Sequence, residues 1–349
     1  MTPGNSLPFP PRVDLGLTAS AADGPDAVGP GRLGPLAIYG GDRPPAPEWF
    51  GRALDIEPEV SFVDVDGAAI EVLTWGRRGA PGLLFLHGMT ANAWWWSFIA
   101  PFFADTFRCV ALSWSGMGRS GRRDQYSITG FAREIALVSQ VSGLFDGAAA
   151  PVAVAHSFAG VPLAEALNGS EAYGGAILID RSVFARDSAR PGPPVRRYKG
   201  RLFDSRREAL ARFRLLPDDP CPNDFIVDHV ARSALTTFHD EAGRARFGWD
   251  VDPAIRVKLG PFQFPHFEDA TAPLAFIWGE RSSLVSHAMI DAVRRLHPTA
   301  PHVMTPEAGH HVMLDQPLAL VTAIRALLAQ GWLTTPLPAI DDQGDRDHG

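Results

Sequence analysis

The chain has 349 residues, 46% of them hydrophobic, with a formal net charge of −7. That length suits one α/β domain with an insertion and a large buried core. Two distant cysteines, Cys109 and Cys221, exclude a disulfide framework and offer no cluster with metal-ligand spacing.

Residues 1–45 carry nine prolines and eight glycines with no period. This is above the roughly 25–30% that marks irregular segments. An extended arm is expected, with Leu36–Tyr39 as its one apolar anchor. Such an arm lies across the body or docks on a partner, and its length leaves a homodimer open. Strand-like alternation then runs over Val60–Val65 and Ile70–Trp75, joined by Asp66-Gly67, a strong hairpin signal. The apolar run Gly82–Leu86 leads directly into His87-Gly88-Met89-Thr90. A helical pattern over about 94–105 opens with Trp94-Trp95-Trp96, of which at least one belongs in the core. Cys109–Leu112 is strand-like and is followed by Ser115-Gly116-Met117-Gly118-Arg119-Ser120; a helical pattern covers 128–144.

Residues 151–160, Pro-Val-Ala-Val-Ala-His-Ser-Phe-Ala-Gly, are the most informative in the chain. A β-like run ends at Ser157, alanines stand two positions away on each side, and a helical pattern over 158–168 follows at once. A sharp strand–serine–helix turn is written this way, because only small side chains fit at those flanking positions. It places Ser157 at the mouth of a helix as a candidate nucleophile. The oxyanion donors of such a site are the N–H after the nucleophile and one from the loop after an earlier strand, here Phe158 and Met89. Further on, Ala308-Gly309-His310-His311 sets a histidine on a loop before a helix, where a general base can reach a serine on another strand.

Strands at Ala176–Ile179 and Pro273–Gly279 and helical patterns at 287–297 and 317–331 complete a βαβ alternation. It implies a mostly parallel sheet with helices on both faces. Residues 181–270 form a long insertion between two strands. Its stretch 181–214 holds eleven Lys/Arg against three acids, a local charge of +8. This is a solvated surface with local ion pairs, or a rim that attracts anions. No nucleic-acid recognition motif accompanies it. The polar tail 335–349 is expected to be disordered. No window is apolar enough to span a membrane, and no signal-peptide pattern opens the chain, so a cytoplasmic location is expected.

The order oxyanion loop, serine, histidine resembles the α/β-hydrolase family over roughly residues 48–332. Ser115–Ser120 stands where that family has Gly-x-Gly-x-Ser, and Asp315-Gln316-Pro317 opens the last helix as its Glu/Asp-x-Pro does. The resemblance implies an eight-stranded, mostly parallel sheet, with core residues 46–180 and 271–334. It also implies a helical cap, 181–270, inserted after strand six. It implies no cofactor and no metal.

The departures concern Ala155 and Ala159 in place of the elbow glycines, Ser113 in place of a structural aspartate, and the triad acid. Where the family writes Gly-x-x-Asp, this chain reads Gly279-Glu280-Arg281-Ser282. Some relatives, certain haloalkane dehalogenases and resorcylic-lactone hydrolases among them, keep the acid at the end of the preceding strand. That makes Asp180 the first choice; Glu280, a water-bridged group and a plain Ser157–His310 dyad stay open. The expected activity is hydrolysis of an ester or lactone of a hydrophobic small molecule, with amides and C–C bonds open. A ligand-binding protein on the same fold is the rival. Thr90, Trp95 and His156 are expected near the substrate, His87 as a hydrogen-bonded structural residue, and His311 near the pocket or facing solvent.

Overall fold

The computed structural model describes residues 33–168, 172–181, 200–262, 267 and 270–329. The first 32 residues of the arm, most of the basic stretch and the tail from 330 lie outside the described residues.

Strands β1 (Glu59–Val65) and β2 (Ala68–Trp75) pair antiparallel around Asp66-Gly67. Both turn residues have positive φ, 50° and 78°, the mirror-image turn whose twist matches a hairpin. Strands β3 (Gly82–Leu86), β4 (Arg108–Leu112), β5 (Val152–His156) and β6 (Gly175–Ile179) are buried along their whole length, as parallel strands covered on both faces must be. The insertion adds the ribbon β7 (Leu235–His239) and β8 (Ala245–Trp249), and the core resumes with β9 (Leu274–Gly279) and β10 (His302–Thr305). The main sheet has eight strands in the order β1-β2-β4-β3-β5-β6-β9-β10, parallel from β4 to β10.

Side chains alternate across this sheet. Leu83, Phe85, Val152, Val154, Ile177 and Ile179 face one apolar layer. Leu84, Leu86, Ala153, Ala155, Ala176 and Leu178 face the other. Helices α1 (Glu48–Leu54), α8 (Val312–Asp315) and α9 (Pro317–Ala329) contribute to the first layer. Helices α2 (Ile128–Val141), α3 (Gly160–Leu167) and α7 (His287–Leu296) contribute to the second. The helix expected over 94–105 is instead two 3₁₀ turns, Ala93–Trp96 and Ala100–Phe103. Pro101 has no N–H to continue an α-helical ladder, and Asn92 caps the first turn by accepting from Trp94 N–H at 3.1 Å.

The insertion carries α4 (Arg206–Ala211), α5 (Asp224–Ala234) and α6 (Ile255–Leu259) beside the ribbon. The ribbon's β-branched Thr236 and Thr237 favour strand. Its turn is closed by Asp240, whose carboxylate accepts from the N–H groups of Ala242 and Arg244. Four described arginines of the basic stretch have local partners. Arg201 and Arg212 approach Glu208 at 3.7 and 3.4 Å, Arg214 meets Asp218 at 2.9 Å, and Arg206 lies over Phe247.

The described end of the arm is not a free extension. Pro35–Tyr39 forms a 3₁₀ turn that packs on α4 and α5. Gly34 N–H donates to Ala211 O at 2.8 Å, and Tyr39 Oη to Asp224 at 2.9 Å. Arg232 donates to Gly41 O at 2.7 Å. A Cβ at Gly34 would lie 2.1 Å from Phe213 O, so the close approach requires glycine. Helix α1 then wedges between the two parts: Phe50 meets Phe225 of α5 at 4.9 Å between ring centroids and Phe98 of the core at 5.7 Å. Residues 33–54 therefore strap the insertion to the core. Leu36, 2% exposed, is the apolar pin of that strap. Leu36→Ala is expected to lower stability by about 2–4 kcal/mol, read as a shift of the urea midpoint without a change of slope. An unchanged midpoint would show that the segment only rests on the surface.

Candidate active site

Ser157 leaves β5 at φ 52° and is followed by one 3₁₀ turn, Ser157–Ala159, that runs into α3. A left-handed serine costs roughly 1–2 kcal/mol and persists only where packing imposes it. Packing does so here. Ala155 sits between Leu86 of β3 and Leu178 of β6, and Ala159 is fully buried, so each flanking position admits a methyl group at this density. The loop after β3 presses on the same point. A Cβ at Gly88 would stand 2.9 Å from His156 Nδ1 and 3.4 Å from Ser157 Cβ.

His310 lies on the loop between β10 and α8. Its Nε2 is 2.9 Å from Ser157 Oγ and its Nδ1 is 2.6 Å from Asp180 Oδ2. A carboxylate only accepts, so Nδ1 carries the proton and Nε2 is left to accept from the serine hydroxyl. Asp180 follows β6 at φ 46° and is 1% exposed. Its Oδ1 accepts from Gly279 N–H at 3.1 Å, and its Oδ2 also accepts from Ser282 Oγ at 2.6 Å. The structure thus brings Ser157, His310 and Asp180 into one hydrogen-bonded line. Glu280 stands apart from it: it is exposed and accepts from Glu307 N–H at 2.9 Å.

Gly88–Thr90 lies against the serine. Thr90 has φ 65°, its hydroxyl donates to Met89 O at 2.6 Å, and its N–H meets Met117 Sδ at 3.3 Å. These contacts fix the Met89 peptide. Phe158 opens the helical turn after Ser157, where leading N–H groups have no intrahelical acceptor. Phe158 thus follows the nucleophile directly in the chain, and Met89 follows Gly88, whose backbone lies close to Ser157.

Two of the expected pocket residues are buried. His156 is 2% exposed and donates from Nε2 to His310 O at 3.0 Å. Trp95 is 8% exposed and packs on the His311 ring at 5.5 Å. His156 is the last residue of β5, and Trp95 belongs to the buried 3₁₀ turn. Both bear on the site through His310 and His311. His87 is buried, donating from Nδ1 to Gly88 O at 2.7 Å and accepting Trp114 N–H at 3.2 Å.

Further contacts hold the His310 loop. Gly309 N–H donates to Asp315 at 2.8 Å. From the insertion, Asp219 accepts from Ser283 Oγ at 2.9 Å and His310 N–H at 3.5 Å, and Asn223 donates to Leu314 O at 2.7 Å. A Cβ at Gly279 would fall 2.1 Å from Gly309 O, so β9 and the histidine loop touch backbone to backbone. Ser282 could have been found, as the position left without its expected acid. Asp219 and Asn223 offered no such signal.

This fold is matched in known proteins. The alpha/beta hydrolase family profile matches residues 83–324. The chain belongs to the alpha/beta hydrolase family. It is 26% identical to 2-(acetamidomethylene)succinate hydrolase of Mesorhizobium japonicum over 74% of this chain and 92% of that one. It is 22% identical to cis-3-alkyl-4-alkyloxetan-2-one decarboxylase of Xanthomonas campestris pv. campestris over 79% of this chain and 95% of that one. The solved structure of an esterase from Mycobacterium tuberculosis superposes with a TM-score of 0.58 at 22% identity, over 84% of this chain and 95% of that one. Hydrolase chemistry follows from the family. No helix among the described residues is long and apolar enough to cross a membrane.

The imidazoles around the site are held neutral. Burial depresses His87 and His311 to about 3 and His229, which meets Ser97 at 2.7 Å, to about 4. Burial, then the neighbouring His310, also pushes His156 well below its ordinary value. Unfolded histidine titrates near 6.5. The unfolded chain therefore binds more protons once the pH falls below that value, and folding loses free energy from there down toward the folded values. Urea midpoints should be flat above about pH 7 and fall progressively from about pH 6.5 toward 4. Replacing His229 by Phe should flatten part of that slope. A midpoint constant across this window would contradict neutral burial.

Proposed function

We propose that this protein is a serine hydrolase that cleaves a carboxylic ester or lactone of a hydrophobic small molecule through an acyl-enzyme on Ser157. The observation that carries this reading is the unbroken Asp180–His310–Ser157 line, with contacts of 2.6 and 2.9 Å. Ser157 Oγ attacks the acyl carbon while its proton passes to His310 Nε2. Asp180 holds the ring through Nδ1 and stabilises the imidazolium that forms. The N–H groups of Met89 and Phe158 bind the oxyanion, each such donor being worth roughly 3–4 kcal/mol of barrier. The leaving alkoxide takes the proton from Nε2. Water then gives a proton to Nε2 and attacks the acyl carbon; collapse releases the acid and returns the proton to Ser157.

An apolar substrate is favoured by Met89, Phe158 and Phe262, partly or fully buried hydrophobic residues packed in one cluster beside the serine turn. The esterase likeness supports an ester. The Mesorhizobium relative, a hydrolase of an acetamido compound by name, makes an amide the second reading.

p-Nitrophenyl esters of graded acyl length test the proposal. The wild type should turn over and Ser157→Ala should not. Asp180→Asn should lose about 10⁴-fold in kcat through the wrong imidazole tautomer, while Glu280→Gln stays near wild type. A fluorophosphonate should label the wild type at Ser157. A folded protein inert to every ester and unlabelled would sink the reading in favour of a non-catalytic binder.

A further inference from the structure

The turn after β9 holds a serine where the family's usual acid is expected, and that serine is not idle. A hydroxyl has one proton and two acceptor sites. Ser282 Oγ accepts from Val285 N–H at 3.0 Å and Leu284 N–H at 3.3 Å. Its proton is thereby directed to the remaining partner, Asp180 Oδ2, at 2.6 Å. This is the same oxygen that receives His310 Nδ1–H, also at 2.6 Å. We propose that Ser282 is a positioning residue whose hydroxyl shares the charge of Asp180 and so sets the pH at which His310 serves as base, a role that rests on the hydrolase reading above.

The turn is rigid enough for this. Ser282 N–H closes it on Gly279 O at 3.2 Å, Glu280 N–H donates to Thr305 O at 3.1 Å, and Arg281 N–H donates to Ala308 O at 2.8 Å. The donor is thus tied to the loop that carries the base. A hydrogen bond to a charged carboxylate is short and strong. Removing it concentrates negative charge on the oxygen facing His310. The imidazolium proton is then held harder, and the free base appears only at higher pH. Other titratable groups face the pair from each side: His156 from β5, His311 beside it, Asp315 from α8 and Asp219 from the insertion. The two imidazoles are kept neutral by burial. Asp315 is engaged by Gly309 N–H, and Asp219 by Ser283. None of the four changes when Ser282 is replaced.

The test compares wild type, Ser282→Ala, Ser282→Thr and the exchange Asp180→Ser with Ser282→Asp. The readouts are pH profiles on a p-nitrophenyl ester and the far-downfield proton resonance of the N–H between His310 and Asp180. Ser282→Ala should move the acid limb of kcat/KM up by about one pH unit, with KM unchanged. Its downfield resonance should change position and persist to the same higher pH. Ser282→Thr, which keeps the hydroxyl, should retain the wild-type profile. The exchange should recover at least about tenfold of the rate lost by Asp180→Ser alone, because a carboxylate at 282 starts from the point that now touches Asp180 Oδ2. A profile and resonance of Ser282→Ala superimposable on wild type would overturn the proposal. A wild type without ester turnover whose resonance still responds to Ser282→Ala would overturn the hydrolase reading and support the coupling.

Discussion

The carboxylate of Asp180 is the point on which the arrangement depends. A charge buried to this degree survives only if its lone pairs are satisfied. Here the three donors come from two separate pieces of chain: Gly279 and Ser282 from the end of β9 and its turn, and His310 from the loop after β10. Strands β6 and β9 are parallel neighbours, with Ile179 level with Ile277, and Asp180 N–H continues the ladder to Ile277 O at 2.7 Å. An acid at the end of either strand therefore reaches nearly one position in space. That geometry explains how the residue expected after β9 can be a serine while the base still finds a carboxylate.

Tying the base so closely has a consequence for the insertion. The loop of His310 is shaped by Asp315 from one side and by Asp219 and Asn223 from the other. The insertion is held in turn by residues 33–54, through Tyr39 on Asp224, Arg232 on Gly41 O and the Phe50–Phe225 contact. The insertion and the placement of the His310 imidazole are thus linked mechanically, through one continuous set of packed and hydrogen-bonded groups.

Much of this was legible in the sequence wherever a local rule was strong. Asp66-Gly67 demanded a mirror-image turn, the five-residue apolar runs demanded buried parallel strands, and Ser157 between alanines announced the sharp turn. Asp180 was the first choice because some relatives of the family it resembles keep the triad acid at the end of that strand. What escaped was set by tertiary contact. The pattern over 94–105 has helical spacing, yet Pro101 and the Asn92 cap cut it into two 3₁₀ turns. β10 is four residues long and half-buried at an edge, so it has little periodicity to show. Trp95 and His156 were singled out because they adjoin the motifs; the fold shows both rings buried against the His310–His311 loop, which their position in the sequence could not show. The hydroxyl of Ser282 could be seen as a missing acid, not as a donor, until the fold brought it to Asp180.

His310 stands apart from the three other imidazoles around it. Charging His87, His156 or His311 would require burying a cation with no carboxylate to meet it, and desolvation forbids this near neutral pH. His310 differs in having Asp180 on one nitrogen and the serine on the other. His156 serves it by donating to its carbonyl, which leaves His156 Nδ1 facing the Gly88 backbone. Only a residue without Cβ allows the loop of Met89 to close over that nitrogen. The absence of a side chain at 88, the methyl groups at 155 and 159 and the left-handed backbone at 157 are thus parts of one steric solution. Together they set the serine hydroxyl 2.9 Å from His310 Nε2, with the Gly88 backbone close against His156 and Ser157.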